Sequence, residues 1–187
     1  MPLGANKVAL YGASADTGTA VLLSTATASS SASLEFTLPT AYKQVTFGFY
    51  NIAPATDTAD FSFQVNASGQ SGYNETMTTT YFQAYHKEDG TGGGLGYAST
   101  RDQAQGTAYQ IIAQGMGSDA DQSCAGKLNL FSPASTTYVK HFYAELENYY
   151  YGDFAQREMV AGYINVTAAI TSIDFKMSSG NIATGTI

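Results

Sequence analysis

Residues 34–51, LEFTLPTAYKQVTFGFYN, alternate apolar and polar side chains in two runs joined by a proline-bearing link. Successive side chains of an extended strand point to opposite faces, so Leu34, Phe36 and Leu38 share one side, and Glu35 and Thr37 take the other. Val45, Phe47 and Phe49 repeat the pattern, and Phe61, Phe63 and Val65 carry it on after a second connection, IAPATDTA. Each run reads as a half-buried strand. Further candidates are Tyr81 to His86, Tyr109 to Ile112, Leu128 to Phe131, Tyr138 to Leu146 and Met159 to Val166. Ile173, Phe175 and Met177 alternate strictly, and short strands are expected at Val8 to Tyr11 and Ile182 to Ile187.

No stretch of a dozen residues carries a 3.6-residue period with caps, so no long helix is expected. Short strands recurring with Gly, Asn and Ser between them point to an all-β antiparallel sandwich, a jelly roll in the first instance, with a closed barrel as the alternative. The low-complexity run STATASSSAS, residues 24–33, follows a first strand. It divides the chain into an N-terminal strand and arm, residues 1–32, and a β-sandwich domain, residues 33–187.

Composition narrows the partners. The 187 residues suffice for one domain with a sizeable core, and 44% of them are apolar. Only 12% are charged, against about 25% in ordinary globular proteins, which describes a polar but weakly charged surface. A net charge of −7 and only eight Lys and Arg argue against nucleic acid and against an anionic membrane surface. The N-terminus has no charged segment followed by an apolar run of about 7–15 residues, so no secretory signal is expected. No run approaches the roughly 18 apolar residues of a membrane span.

Residues that could carry chemistry fall short of a catalytic pattern. Cys124 is the single cysteine and cannot form an internal disulfide, so it reads as a small semi-buried side chain. GTGGGLG, residues 90–96, lacks the strand before and the helix after that a phosphate cradle requires, and is expected to be a flexible turn. Asp119 and Asp121 resemble the start of a calcium loop, but the glycine and distant glutamate that complete one do not follow. His86 and His141 sit within strand patterns without a Ser or Cys nucleophile nearby. Glu145 and Glu147, two apart on one strand, read as an exposed acidic face rather than a glycosidase pair. No catalytic residue, cofactor or metal is expected. Three long connections, residues 67–80, 88–106 and 113–126, are where binding is expected to sit.

The run ELENYYYGDF, residues 145–154, poses a separate question, because three consecutive tyrosines cannot all enter one core. With Phe142, Ala144 and Leu146 inward, the period turns Tyr150 toward the core and places Tyr149 and Tyr151 outward with His141, Tyr143 and the two glutamates. An outward stripe both aromatic and acidic fits a protomer interface or a platform for a sugar ring. Tyr149, Tyr151, Tyr143 and His141 are therefore the candidate interface or stacking residues.

FKMSSGNIATGTI, residues 175–187, resembles the C-terminus of small β-sandwich structural proteins of tailed bacteriophages, marine podoviruses and cyanophages among them. Residues 34–69 and NKVALYGASA, residues 6–15, are similar in pattern. Family members often continue past Ile187 with a basic and aromatic ending, so the last strand is expected to be shorter here or the chain to continue. The resemblance implies a non-enzymatic virion component: a capsid decoration protein, a knob or a fibre component, oligomeric and held by contacts with other virion proteins of capsid or tail. It also implies a protein made in the host cytoplasm and released by lysis. A receptor- or glycan-binding module of a fibre, recognising a host-surface glycan, is the alternative, and no catalytic residue is carried over.

Overall fold

The period-two runs become strands that pair far along the chain. A computed structural model describes residues 20–187; the expected strand Val8 to Tyr11 lies outside them. Twelve strands follow in order: β1 (Leu34–Thr37), β2 (Gln44–Pro54), β3 (Ala59–Ala67), β4 (Met77–Lys87), β5 (Gly93–Tyr97) and β6 (Ala104–Gly106), then β7 (Gln110–Met116), β8 (Cys124–Phe131), β9 (Lys140–Tyr150), β10 (Phe154–Ile164), β11 (Ile170–Met177) and β12 (Ile182–Thr186). All pairings are antiparallel, and no helix occurs among the described residues.

The pairings resolve into two layers. The larger runs β12-β2-β8-β9-β10-β4-β5, with β6 beside β5 on β4; the smaller runs β1-β11-β3-β7. A single register contact, Met116 opposite Tyr150, joins β7 to the end of β9 and turns the corner between layers. The outermost strands β1 and β5 each have one neighbour, so the sheet does not close into the alternative barrel. The all-β antiparallel sandwich is as expected; the pairings alone do not assign it to the jelly-roll class.

Rings from both layers interlock between them. Phe175 on β11 lies 5.2 Å from Phe47 and 5.3 Å from Phe49 on β2, and Phe63 on β3 lies 5.0 Å from Phe142 on β9 at 83°. Edge-to-face rings add about 0.5–1.5 kcal/mol per pair to the area they bury. The alternation of β2 holds through Phe49 and then slips, because Asn51 adopts a left-handed φ of 52° and the register with β8 shifts between Phe49 and Ile52. Such a bulge lets Ile52 and Pro54 continue on the buried side.

Two expectations need correction. GTGGGLG is a turn only at its start: residues 90–92 close a hairpin, and Gly93–Tyr97 form β5, its arm on β4. Glycines have no side chain to display a period, so pairing with the neighbouring strand decided what pattern could not. The glycine at 94 also has a packing reason, since a Cβ there would lie 3.0 Å from the Tyr85 hydroxyl and 3.2 Å from its ring. Cys124 is fully rather than semi-buried, 1% exposed, and burial pushes its thiol pKa far upward. Residues 26–31 lie along β12: Ala26, Ala28 and Ser30 donate their N–H groups to the carbonyls of Ile187, Gly185 and Ala183, and Ala28 enters the core.

Candidate functional site

The two layers treat their outer faces differently. On the smaller layer, alternation turns Gln64, Ser172 and Asp174 outward, yet all three are buried. Gln64 Nε2 donates to the carbonyls of Glu75, Thr107 and Ala108, the Tyr73 and Ser172 hydroxyls lie 2.9 Å apart, and the Tyr109 hydroxyl donates to Asp174 Oδ2 at 2.8 Å. Residues 73–75, within the connection 67–80 expected to bind, and residues 107–109, just beyond the connection 88–106, are thus spent covering this sheet. The larger layer has no such cover.

Its open face is built from odd-numbered residues of β9 and β10. Register places Met159 between Phe82 and Glu145, Ala161 between Thr80 and Tyr143, and Tyr163 between Thr78 and His141. A shallow groove of about 460 Å³ runs past Thr78, Thr80, Phe131, His141, Tyr143 and Tyr163. An adjoining depression of about 270 Å³ is lined by Phe82, Tyr143, Glu145, Met159 and Ala161, so Tyr143 is the wall between the two. Its ring leans on Phe131 with centroids 5.8 Å apart, and the His141 ring meets Tyr163 edge-on at 6.3 Å. The floor is tight because Gly162 lets β10 approach β4, where a Cβ would stand 2.4 Å from the Thr78 carbonyl oxygen.

Charges line one flank of this apolar strip. Arg157 donates to Glu145 Oε2 at 2.9 Å and lies opposite Glu147 in register, while Lys127 lies opposite Glu145. Partial desolvation raises the pKa of Glu147. An apolar, aromatic centre bounded by paired charges is the anatomy of a protein interface. Farther out, Phe82 is paired with Tyr97, which is 58% exposed, and Ala84 with Leu95, 77% exposed.

The four residues singled out in the sequence separate into two places. His141 and Tyr143 stand together in the groove, on the outward side as read. Tyr149 and Tyr151 lie at the far end of β9 and do not make a platform on one strand face. Tyr149 is half-buried; its hydroxyl donates to Asp153 at 3.3 Å, and bonding to Glu88 holds its pKa up at about 12. Tyr151 has left the strand for the β9–β10 turn and rests its ring 4.5 Å from that of Tyr150, which faces inward but stays half-buried at the end of the sandwich. Tyr163 and Met159 were missed because the second half of β10 is apolar on both faces, and Phe131 on β8 and Phe82 on β4 because only strand pairing brings them alongside. Met159, Ala161 and Tyr163 alternate with Val160 and Ile164, and that absence of a polar side was itself the signal of an apolar outer face.

One buried carboxyl was also missed. Glu158 is wholly inside, where its Oε2 accepts from the Tyr81 hydroxyl at 2.5 Å and its Oε1 from Gln156 Nε2 at 2.7 Å, Asn148 Nδ2 at 3.3 Å and the Gln114 N–H at 3.3 Å. Burial lifts its pKa to about 7 against the pull of those four donors. The arrangement ties β4, β7, β9 and β10 together and serves the fold. Among the described residues no three His, Cys, Asp or Glu side chains come together so as to hold a metal ion. Comparison with known proteins finds no matching family model, no matching curated protein and no matching solved structure.

Proposed function

We propose that this chain is a non-enzymatic structural component of a tailed-phage particle, a capsid decoration, knob or fibre protein, held by protein–protein contacts through the open face of its larger layer. The single observation behind this reading is the contrast between layers: one outer face is sealed by the chain's own connections, and the other presents Tyr143, His141, Tyr163, Phe131 and Met159 beside paired charges. Large rigid rings supply contact area at low entropic cost, and repeated copies on a symmetric particle bury repeated patches. The C-terminal resemblance supplies the virion context.

The test is incorporation. Phage carrying Tyr143→Ser together with Tyr163→Ser should hold at least about tenfold fewer copies of the chain per particle, corresponding to about 1.4 kcal/mol or more of lost contact. The variant's far-UV circular dichroism should be unchanged, since neither ring is in the core. Full occupancy by the doubly substituted chain would refute the reading.

A second reading rests on the same groove: Tyr143, standing between two depressions, offers a stacking surface for a sugar ring. Binding of host-surface polysaccharide lost on Tyr143→Ala, and kept in Tyr149→Ala with Tyr151→Ala, would favour it over a purely structural role.

A further inference from the structure

The larger layer has two ends, and the chain finishes only one of them. At β12 the N–H groups of Ala26, Ala28 and Ser30 close the edge. At the other end β5 pairs with β4 alone. Lys87 N–H donates to the Gly92 carbonyl and Ala98 N–H to the Tyr81 carbonyl, both at 2.8 Å. Antiparallel alternation between those two bonds points the backbone groups of Gly94 and Gly96 at β4 and those of Gly93, Leu95 and Tyr97 away from it. Among the described residues nothing pairs with that second edge, and all five residues of β5 are exposed.

Exposed edges in natural sheets carry devices that prevent pairing, such as charges, proline, bulges or a very short strand. The terminal strand of the smaller layer has two: β1 exposes Glu35 and is soon followed by Pro39. The stretch GGLGY of β5 has no charge, proline or register shift. An undefended edge whose backbone donors and acceptors face outward is built to be completed by another strand.

We propose that β5 pairs with β5 of a second copy of this chain, antiparallel about a two-fold axis through Leu95. The sequence fits itself in that register. Leu95 lies opposite the Leu95 of the second copy, and each Tyr97 lies opposite a Gly93, so each ring faces a residue without a side chain. No like charges are brought across. Gly93, Leu95 and Tyr97 are the residues whose backbone groups face outward, so all three cross-axis pairs are of the hydrogen-bonded kind, which exchange two bonds each. Leu95 and Tyr97 lie on the same face as Phe82 and Ala84, and the two open faces become one continuous surface. An isologous contact of this kind closes at two copies instead of growing into a filament. Pairing is a property of the isolated chain and stands or falls independently of the virion reading.

The experiment uses the purified full chain. Cα atoms of a hydrogen-bonded antiparallel pair lie about 5.5 Å apart, within the roughly 4.4–6.8 Å that a disulfide spans, and the native Cys124 is buried. Leu95→Cys should therefore give a covalent dimer under mild oxidation. Ala84→Cys, exposed on the same face but one strand farther from the axis, should not. Sedimentation velocity should find the wild type dimeric at about 100 μM, where a micromolar Kd leaves little monomer. Leu95→Pro, which removes an outward N–H and no hydrogen bond to β4, and Leu95→Lys, which adds an edge charge, should each shift it to monomer with the far-UV spectrum retained. A monomeric wild type, a dimer indifferent to Leu95→Lys, or cross-linking no faster at 95 than at 84 would overturn the proposal.

Discussion

Glu158 concentrates the residue-scale physics of this molecule. A carboxylate sealed between strands is costly unless its oxygens are saturated, and here four donors converge on them. Burial still outweighs those bonds and lifts the pKa from the ordinary 4.5 to about 7. Between those two values the native state holds a proton that the unfolded chain has released, so raising the pH favours unfolding, and the loss is complete above about pH 7. Glu158→Gln should abolish this dependence: its carbonyl oxygen keeps the three donors on Oε1, and its amide can donate to the Tyr81 hydroxyl. Urea unfolding of both proteins at pH 5 and pH 8 should show the wild type losing about 2–3 kcal/mol relative to the variant across that interval. Parallel pH profiles would mean that the carboxyl is charged throughout. The inward direction of Glu158 was legible from Val160 and Ile164 at the same parity. Its burial was not, because a charged side chain on a short strand reads as solvated until its partners from other strands are placed.

At the scale of elements, period two located the strands and their inward faces, and it failed where side chains were absent or where both faces were apolar. β5 is the first case and β10 the second. The connection from β10 to β11 shows a third limit, since its conformation depends on Lys140 at the start of β9. That side chain is fully buried, and the carbonyl oxygens of Tyr138, Val166, Thr167 and Ala168 surround its ammonium at 2.6–3.1 Å, sharing its three N–H donors. Desolvation lowers its pKa, and the carbonyl dipoles stand in for lost water. Lys140→Met should keep the stem's packing and strand these carbonyls, a loss of about 2–4 kcal/mol by chemical denaturation. A change under about 0.5 kcal/mol would show that water satisfies them equally well. A lone lysine in YVKHF gives no hint of this, because three of its four acceptors, Val166, Thr167 and Ala168, lie more than twenty residues downstream.

For the whole molecule, the sandwich explains how a chain with few charges stays organised while leaving one large surface unfinished. Facing layers bury Phe47, Phe49, Phe61, Phe63, Phe142 and Phe175, one outer sheet is roofed by long connections, and the other is left open. His141 and Tyr143 were legible as outward residues from the parity of β9. The groove around them required Phe131 and Tyr163, which only strand pairing brings alongside. The claim on which the account rests is that this open face is an assembly surface on a particle. A reconstruction of the phage particle at side-chain resolution tests it most directly: the chain should be found in place with Tyr143, Tyr163 and Phe131 buried against a neighbouring virion protein. Particles that lack the chain, or that carry it with this face turned to solvent and the roofed layer in contact, would contradict it.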